Sequence, residues 1–106
     1  MVKIVSFWDL RPGIRPEDFE KHYFEVHVPL VRKLPGLKKY RVSKARPSKT
    51  RKVPFYRMAE VYWEDVEGIR RMASSPEISK VTKDEGFYSK VTDLVEFVCE
   101  EQEVEL

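Results

Sequence analysis

An α+β domain with one antiparallel sheet, its helices all on one face, is what this sequence predicts. Three observations lead there. Apolar residues alternate along Val2–Asp9 and again along Phe55–Trp63, which is the period of a strand. They recur every three or four residues from Phe19 to Leu34, which is the period of an amphipathic helix. Turn-forming residues separate such runs at Gly13–Pro16, Pro35–Gly36, Pro47–Pro54 and Ser75–Pro76.

Taken in order, strand one covers Val2–Asp9, with Ile4, Ser6 and Trp8 on one face and Val5 and Phe7 on the other. The turn at Gly13–Pro16 leads into a helix. Pro16 suits its first position, and Glu17 and Asp18 suit its positive end. That helix is predicted to run to Leu34, with Pro29 inside it depriving the Glu25 carbonyl of its usual N–H partner. Strand two is Leu37–Arg46, Pro47–Pro54 is a basic loop, and strand three is Phe55–Trp63. Asp65 caps a second helix carrying Val66, Ile69, Met72 and Ala73. A third, short helix begins at Ser75-Pro76-Glu77 and is expected to stop at Gly86. Strand four is Val91–Cys99, and the glutamate-rich tail is expected to fray. The order is βαββαβ, the ferredoxin-like arrangement, in a single domain spanning residues 1–106.

Such a sheet should have one apolar and one wet face. Here both faces read as apolar. Phe55, Ala59, Val61 and Trp63 oppose Tyr56, Met58 and Tyr62, while Val91, Val95 and Phe97 oppose Leu94 and Val98. One helical layer covers only one of them, so a homodimer packed sheet to sheet is expected.

Composition narrows the function classes. With 42% hydrophobic and 36% charged residues the chain is globular rather than disordered. One cysteine, Cys99, rules out an internal disulfide and suits a reducing compartment. With no apolar leader or membrane-length run, a cytoplasmic location is the expectation. Nine basic residues and no acidic one lie between Leu37 and Ala59, and five glutamates with no basic residue between Glu96 and Leu106. The basic charge is split over both faces of strand two, which favours an anionic small ligand or an acidic partner over nucleic acid. No phosphate loop, dinucleotide fingerprint or Ser-His-Asp set is present, so no cofactor is expected.

The only side chains that ordinarily titrate near neutral pH, His22 and His27, lie on the long helix. On an ideal α-helical wheel their rings point about 140° apart, so they are not expected to share a metal ion. His27 lies on the flank of the apolar stripe. Two roles fit it: a base or carbonyl polariser facing a cavity between helix and sheet, and a packed histidine tied to a backbone carbonyl. Tyr23, Tyr40 and Trp63 would wall such a cavity and suit a flat apolar or phenolic ligand, with Trp8 and Tyr62 as weaker candidates.

One window carries a further signal. Phe19-x-x-His22-Tyr23-x-x-x-His27-x-Pro29-Leu30, followed by Lys33-Leu34-Pro35-Gly36-Leu37-x-x-Tyr40, resembles the EthD family, named for a protein of ethyl tert-butyl ether degradation. Ala73-Ser74-Ser75-Pro76-Glu77 and Asp84-Glu85-x-Phe87 agree, although the acid expected shortly after Phe87 is missing and Ser89 stands in that region. The resemblance implies a dimeric α+β barrel with an internal apolar pocket. It also implies cofactor-free isomerisation, cyclisation, dehydration or oxygenation of a hydrophobic carbonyl-bearing or phenolic compound. His27, and second His22, would be the catalytic candidates, with Tyr23, Tyr40 and Trp63 holding the ligand. A non-catalytic binding or accessory protein using the same pocket, and a dimer gripping an acidic partner, are the competing expectations.

Overall fold

Strand β1 (Val2–Leu10) is the spine of the sheet. It pairs antiparallel with β3 (Arg57–Trp63) on one side and β4 (Thr92–Glu100) on the other, and β2 (Lys39–Lys44) adds outside β3. The order is β2-β3-β1-β4. The computed structural model describes all residues, 1–106. Between β1 and β2 lie α1 (Pro16–His22), a π-helical turn (Tyr23–His27) and α2 (Val28–Val31). Between β3 and β4 lie α3 (Val66–Ala73) and α4 (Glu77–Val91). This is the predicted ferredoxin-like α+β arrangement. No helix is long and apolar enough to cross a membrane.

Register sorts the strand residues onto two faces. Ile4, Ser6 and Trp8 stand beside Val61, Ala59 and Arg57 on one side, and beside Val98, Glu96 and Leu94 on the other. This face meets the helices. It carries two apolar clusters, one around Trp63, Leu34 and Met72, the other around Trp8, Phe19, Tyr23 and Tyr88.

Three local expectations need correcting. The predicted alternation from Phe55 fails because β3 begins only at Arg57. Tyr56 and Arg57 both stand against Trp8, Arg57 in register and Tyr56 through an N–H donated to the Trp8 carbonyl at 2.8 Å. That is the arrangement of a bulge, and it turns Phe55 to the outer face, 4.9 Å from the Phe7 ring, while Tyr56 meets Phe19. The first long helix gives way to turns after Val31, short of Leu34. Gly86 does not end its helix: α4 continues to Val91, which carries Tyr88 into the core at 3% exposure. Burial of that ring outweighs the helix cost of one glycine, about 1 kcal/mol.

Trp63 sets the other end of the core. Its indole N–H donates to the Pro35 carbonyl at 3.0 Å, and Gly36, at φ +74°, lies where a Cβ would come within 3.3 Å of the ring. A Cβ on Gly68 would meet Trp63 at the same distance, so this glycine allows α3 to approach β3 closely. Asp65 caps α3 as predicted, accepting from the Gly68 N–H at 2.9 Å.

The outer face has no helices, and the molecule is only 18 Å through its thinnest axis. One end of that face is apolar: Phe7 stacks on Phe97 at 6.1 Å, and Phe97 and Val95 are 48% and 59% exposed. The other end is cationic, with Lys3, Lys39 and Arg41 around the buried Tyr62 ring. The outer face is thus apolar over part of its extent, not throughout.

Candidate functional site

Pro29 shapes the helix that carries both histidines. Because it has no N–H to give the Glu25 carbonyl, the turn before it relaxes to a wider one, in which the Val28 N–H reaches back five residues to Tyr23. The wider turn changes where side chains five apart point. The expected divergence of the two rings is therefore overturned. His22 Nε2 and His27 Nδ1 both lie 2.8 Å from Asp84, one on each carboxylate oxygen. Each of these nitrogens is held by a carboxylate oxygen, and no group of three or more His, Cys, Asp or Glu is arranged to hold a metal ion.

Asp84 comes from α4, and its placement could not be read from helix spacing. The one signal for it was its position in the Asp84-Glu85-x-Phe87 patch. Its partners lie 57 and 62 residues away in the chain.

His27 is buried between two tyrosine rings, stacked on Tyr88 at 5.1 Å and on Tyr23 at 5.2 Å. Burial pushes its pKa below the ordinary histidine value, and Asp84, acting in the opposite direction, does not offset this. A neutral ring whose Nδ1–H donates to Asp84 leaves Nε2 with a free lone pair. No protein group hydrogen-bonds that nitrogen.

His27 lines a cavity of about 300 Å³ between the inner sheet face and the helices, at the seam of the two apolar clusters. Tyr23, Tyr40 and Trp63 line it too, so four of the five predicted site residues meet around one space. His22 does not. It lines a separate cavity of about 230 Å³, beside Phe87 and the Gly13–Arg15 turn. Of the weaker candidates, Trp8 is on the cavity wall, whereas Tyr62 belongs to the outer face.

The polar atoms in the main cavity are few. The Tyr23 and Tyr40 hydroxyls are 2.7 Å apart, so one donates to the other and the acceptor's own proton remains available. Burial raises the pKa of both, that of Tyr40 to about 12, so they are hydroxyls and not phenolates at neutral pH. Ser6 donates to Glu96 at 2.9 Å. Glu85 also faces the cavity. Burial, then the charges of Glu96 and Asp84, push its pKa up to about 7. No sequence spacing marks either glutamate as a cavity residue: Glu96 alternates along β4, and Glu85 follows Asp84 on α4.

Glu85 makes stability depend on pH in a defined sense. Between about pH 4.5 and 7 the folded state keeps a proton that the unfolded chain has released, so this group lowers stability as pH rises through that window. Glu85→Gln is therefore expected to match the parent near pH 4.5. At pH 8 it should be more stable by about 1–2 kcal/mol, a value reduced for solvent screening of a part-exposed carboxyl. Thermal melts of both proteins at the two pH values check it. A constant difference would contradict the assignment.

The fold and cavity define a ferredoxin-like α+β domain with a ligand-sized internal space. The chain belongs to the EthD family: residues 11–90 match the EthD domain. Among solved structures it is similar to an ethyl tert-butyl ether degradation (EthD) family protein of Bacillus halodurans C-125. Identity there is 31% over 96% of this chain and 99% of the other, with a TM-score of 0.81. The fold is shared with SnoaB, a cofactor-independent oxygenase from Streptomyces nogalater (14% identity, 97% of this chain, 94% of that one, TM-score 0.72). It is shared also with a dimeric protein of unknown function from Bacteroides fragilis NCTC 9343 (13% identity, 94% and 95% covered, TM-score 0.67). No curated protein sequence matches the chain.

Proposed function

We propose that this EthD-family domain binds a hydrophobic, carbonyl-bearing or phenolic small molecule in the 300 Å³ cavity and that His27 Nε2 serves as its base. One observation carries the reading: His27 is a buried histidine whose Nδ1 is held by a carboxylate and whose other nitrogen is free, on a mainly apolar cavity wall. In such a pair the carboxylate sets the tautomer and stabilises the imidazolium that forms. Asp84 is a positioning residue in this scheme, and His22 helps to hold it in place.

The elementary step is proton abstraction. Nε2 takes a proton from the carbon beside a ligand carbonyl. The C–H electron pair becomes the new C=C bond, and the carbonyl π pair moves onto oxygen. The resulting enolate oxygen accepts from the free tyrosine O–H of the Tyr23–Tyr40 pair. Proton return at another position gives isomerisation, and attack of the enolate carbon on a second carbonyl gives cyclisation. The fold is shared with a cofactor-independent oxygenase, so it can house chemistry that needs no cofactor.

Solvent exchange tests the step without knowledge of the natural substrate. In D₂O the protein is expected to accelerate deuteration of 2-tetralone beside its carbonyl, followed by proton NMR. His27→Gln should cut that acceleration by about 10²-fold or more. Binding of the ketone with no acceleration would leave a ligand-binding protein without catalysis.

A second copy on the outer face belongs to the same proposal. The exposed Phe97 and Val95 form, with Phe7 and Phe55, an apolar end suited to sheet-to-sheet pairing.

A further inference from the structure

The cavity's charge distribution goes beyond a preference for apolar ligands. The chain carries 20 Lys and Arg, yet none lines this space. The only residues on its wall that are charged in their ordinary state at neutral pH are Glu85 and Glu96. No protein cation pairs with either; Glu96 has only the Ser6 hydroxyl, and Glu85 has no hydrogen-bond partner. A ligand anion would meet two acids and no counter-ion in a space of low polarity, which is costly.

A second observation concerns a donor. The Trp8 side chain lies on the same wall and is 1% exposed, and its indole N–H has no hydrogen-bond partner. Buried donors in native proteins are almost always satisfied, and a bound acceptor oxygen would satisfy this one. Register puts it near an acid. Glu96 stands opposite Ser6, two residues along β1 from Trp8, which makes Glu96 and Trp8 diagonal neighbours on the inner face. The backbone positions of such neighbours are about 7–8 Å apart, so Trp8 and Glu96, which both line the cavity, border the same stretch of it.

We propose that the cavity selects an uncharged hydroxyaryl ketone and rejects aryl carboxylates, the ketone oxygen accepting from the Trp8 Nε1–H through one lone pair and from the tyrosine O–H through the other, and the hydroxyl donating to the Glu85–Glu96 end. This rests on the ligand-binding reading above and names the substrate class for the same site. The upward shift of the Glu85 pKa agrees: burial first, and then the charges of Glu96 and Asp84, disfavour a negative charge at this wall, and both penalties fall on a ligand anion as well. Rejection through unpaired like charge is a common way to build specificity.

The test uses two probes of one shape, 4′-hydroxyacetophenone and 4-hydroxybenzoate, titrated at pH 7 into labelled protein. Protein NMR follows the two indole N–H signals, Trp8 being assigned by loss of its peak in Trp8→Phe. The ketone is expected to bind at least about tenfold more tightly than the carboxylate and to move the Trp8 signal. The Trp63 N–H, held by the Pro35 carbonyl, should move less. Trp8→Phe should weaken the ketone about five- to tenfold, and Glu85→Gln/Glu96→Gln should bring the two probes within about threefold. Equal or tighter binding of the carboxylate overturns the charge selection, and a Trp8 signal unmoved by bound ketone overturns the Trp8 contact, each result leaving a ligand site. If neither probe disturbs a cavity residue, the ligand-binding reading falls and this one with it.

Discussion

Asp84→Asn should lower His27-dependent proton transfer by about 10²-fold or more while leaving the fold in place. The carboxylate offers an oxygen to each histidine at 2.8 Å, and an amide of the same shape keeps one oxygen and replaces the other with a donor. One of two donating rings then faces an N–H. If His27 turns its lone pair toward that amide, its proton moves to Nε2 and the base disappears. If His22 adapts instead, the amide still lacks the charge that stabilises the imidazolium during the step. Deuteration of 2-tetralone measured beside circular dichroism separates loss of chemistry from loss of structure. A folded variant at full rate would show that Asp84 does no more than pack.

Phe97→Asp is expected to have the second large effect, on assembly. Phe97 is 48% exposed and stacks on Phe7 at the bare end of the sheet. In a sheet-to-sheet pair its ring would be buried twice, once in each copy, and a carboxylate there would be desolvated without a partner. Loss of about 4 kcal/mol or more, near 10³-fold in the dissociation constant, is the expected scale for a central aromatic anchor. Sedimentation at micromolar concentration should find the parent as a dimer and the variant as a monomer. A monomeric parent would remove the second copy, though not the cavity, which a single chain already encloses between its sheet and helices.

How far such features can be read from residues depends on whether neighbours in sequence or neighbours in space decide them. Alternation in β1 and β3 and helical spacing around Phe19–Val31 are local, and they led to the correct βαββαβ order. Asp65 is a local cap and was read correctly. The failures have a different origin. Gly86 looked like a helix end because glycine weakens helices, but burying Tyr88 against Trp8 and His27 carries the helix through it. Phe55 changed face because the pairing with Trp8 admits one extra residue, a matter of strand register. The wheel that separated His22 from His27 assumed 3.6 residues per turn, and the proline that invalidates that assumption was visible at position 29. Its missing N–H is legible in the sequence, whereas the wider turn that results upstream is not. Asp84 meets the two histidines, and Glu85 and Glu96 reach the cavity wall, only because α4 and β4 are laid against the first helix and β1. Tyr23, Tyr40 and Trp63 were found from their type, since large aromatics on inward positions must line whatever space the core leaves.

The tautomer of His27 tests the central assignment most directly. Nitrogen-15 NMR of the imidazole at pH 7.5 distinguishes a protonated Nδ1 from a protonated Nε2 and from the imidazolium. Held by Asp84 and kept neutral by burial, His27 should carry its proton on Nδ1 and a bare lone pair on Nε2. A proton on Nε2, or a charged ring at that pH, would contradict a base at the cavity wall.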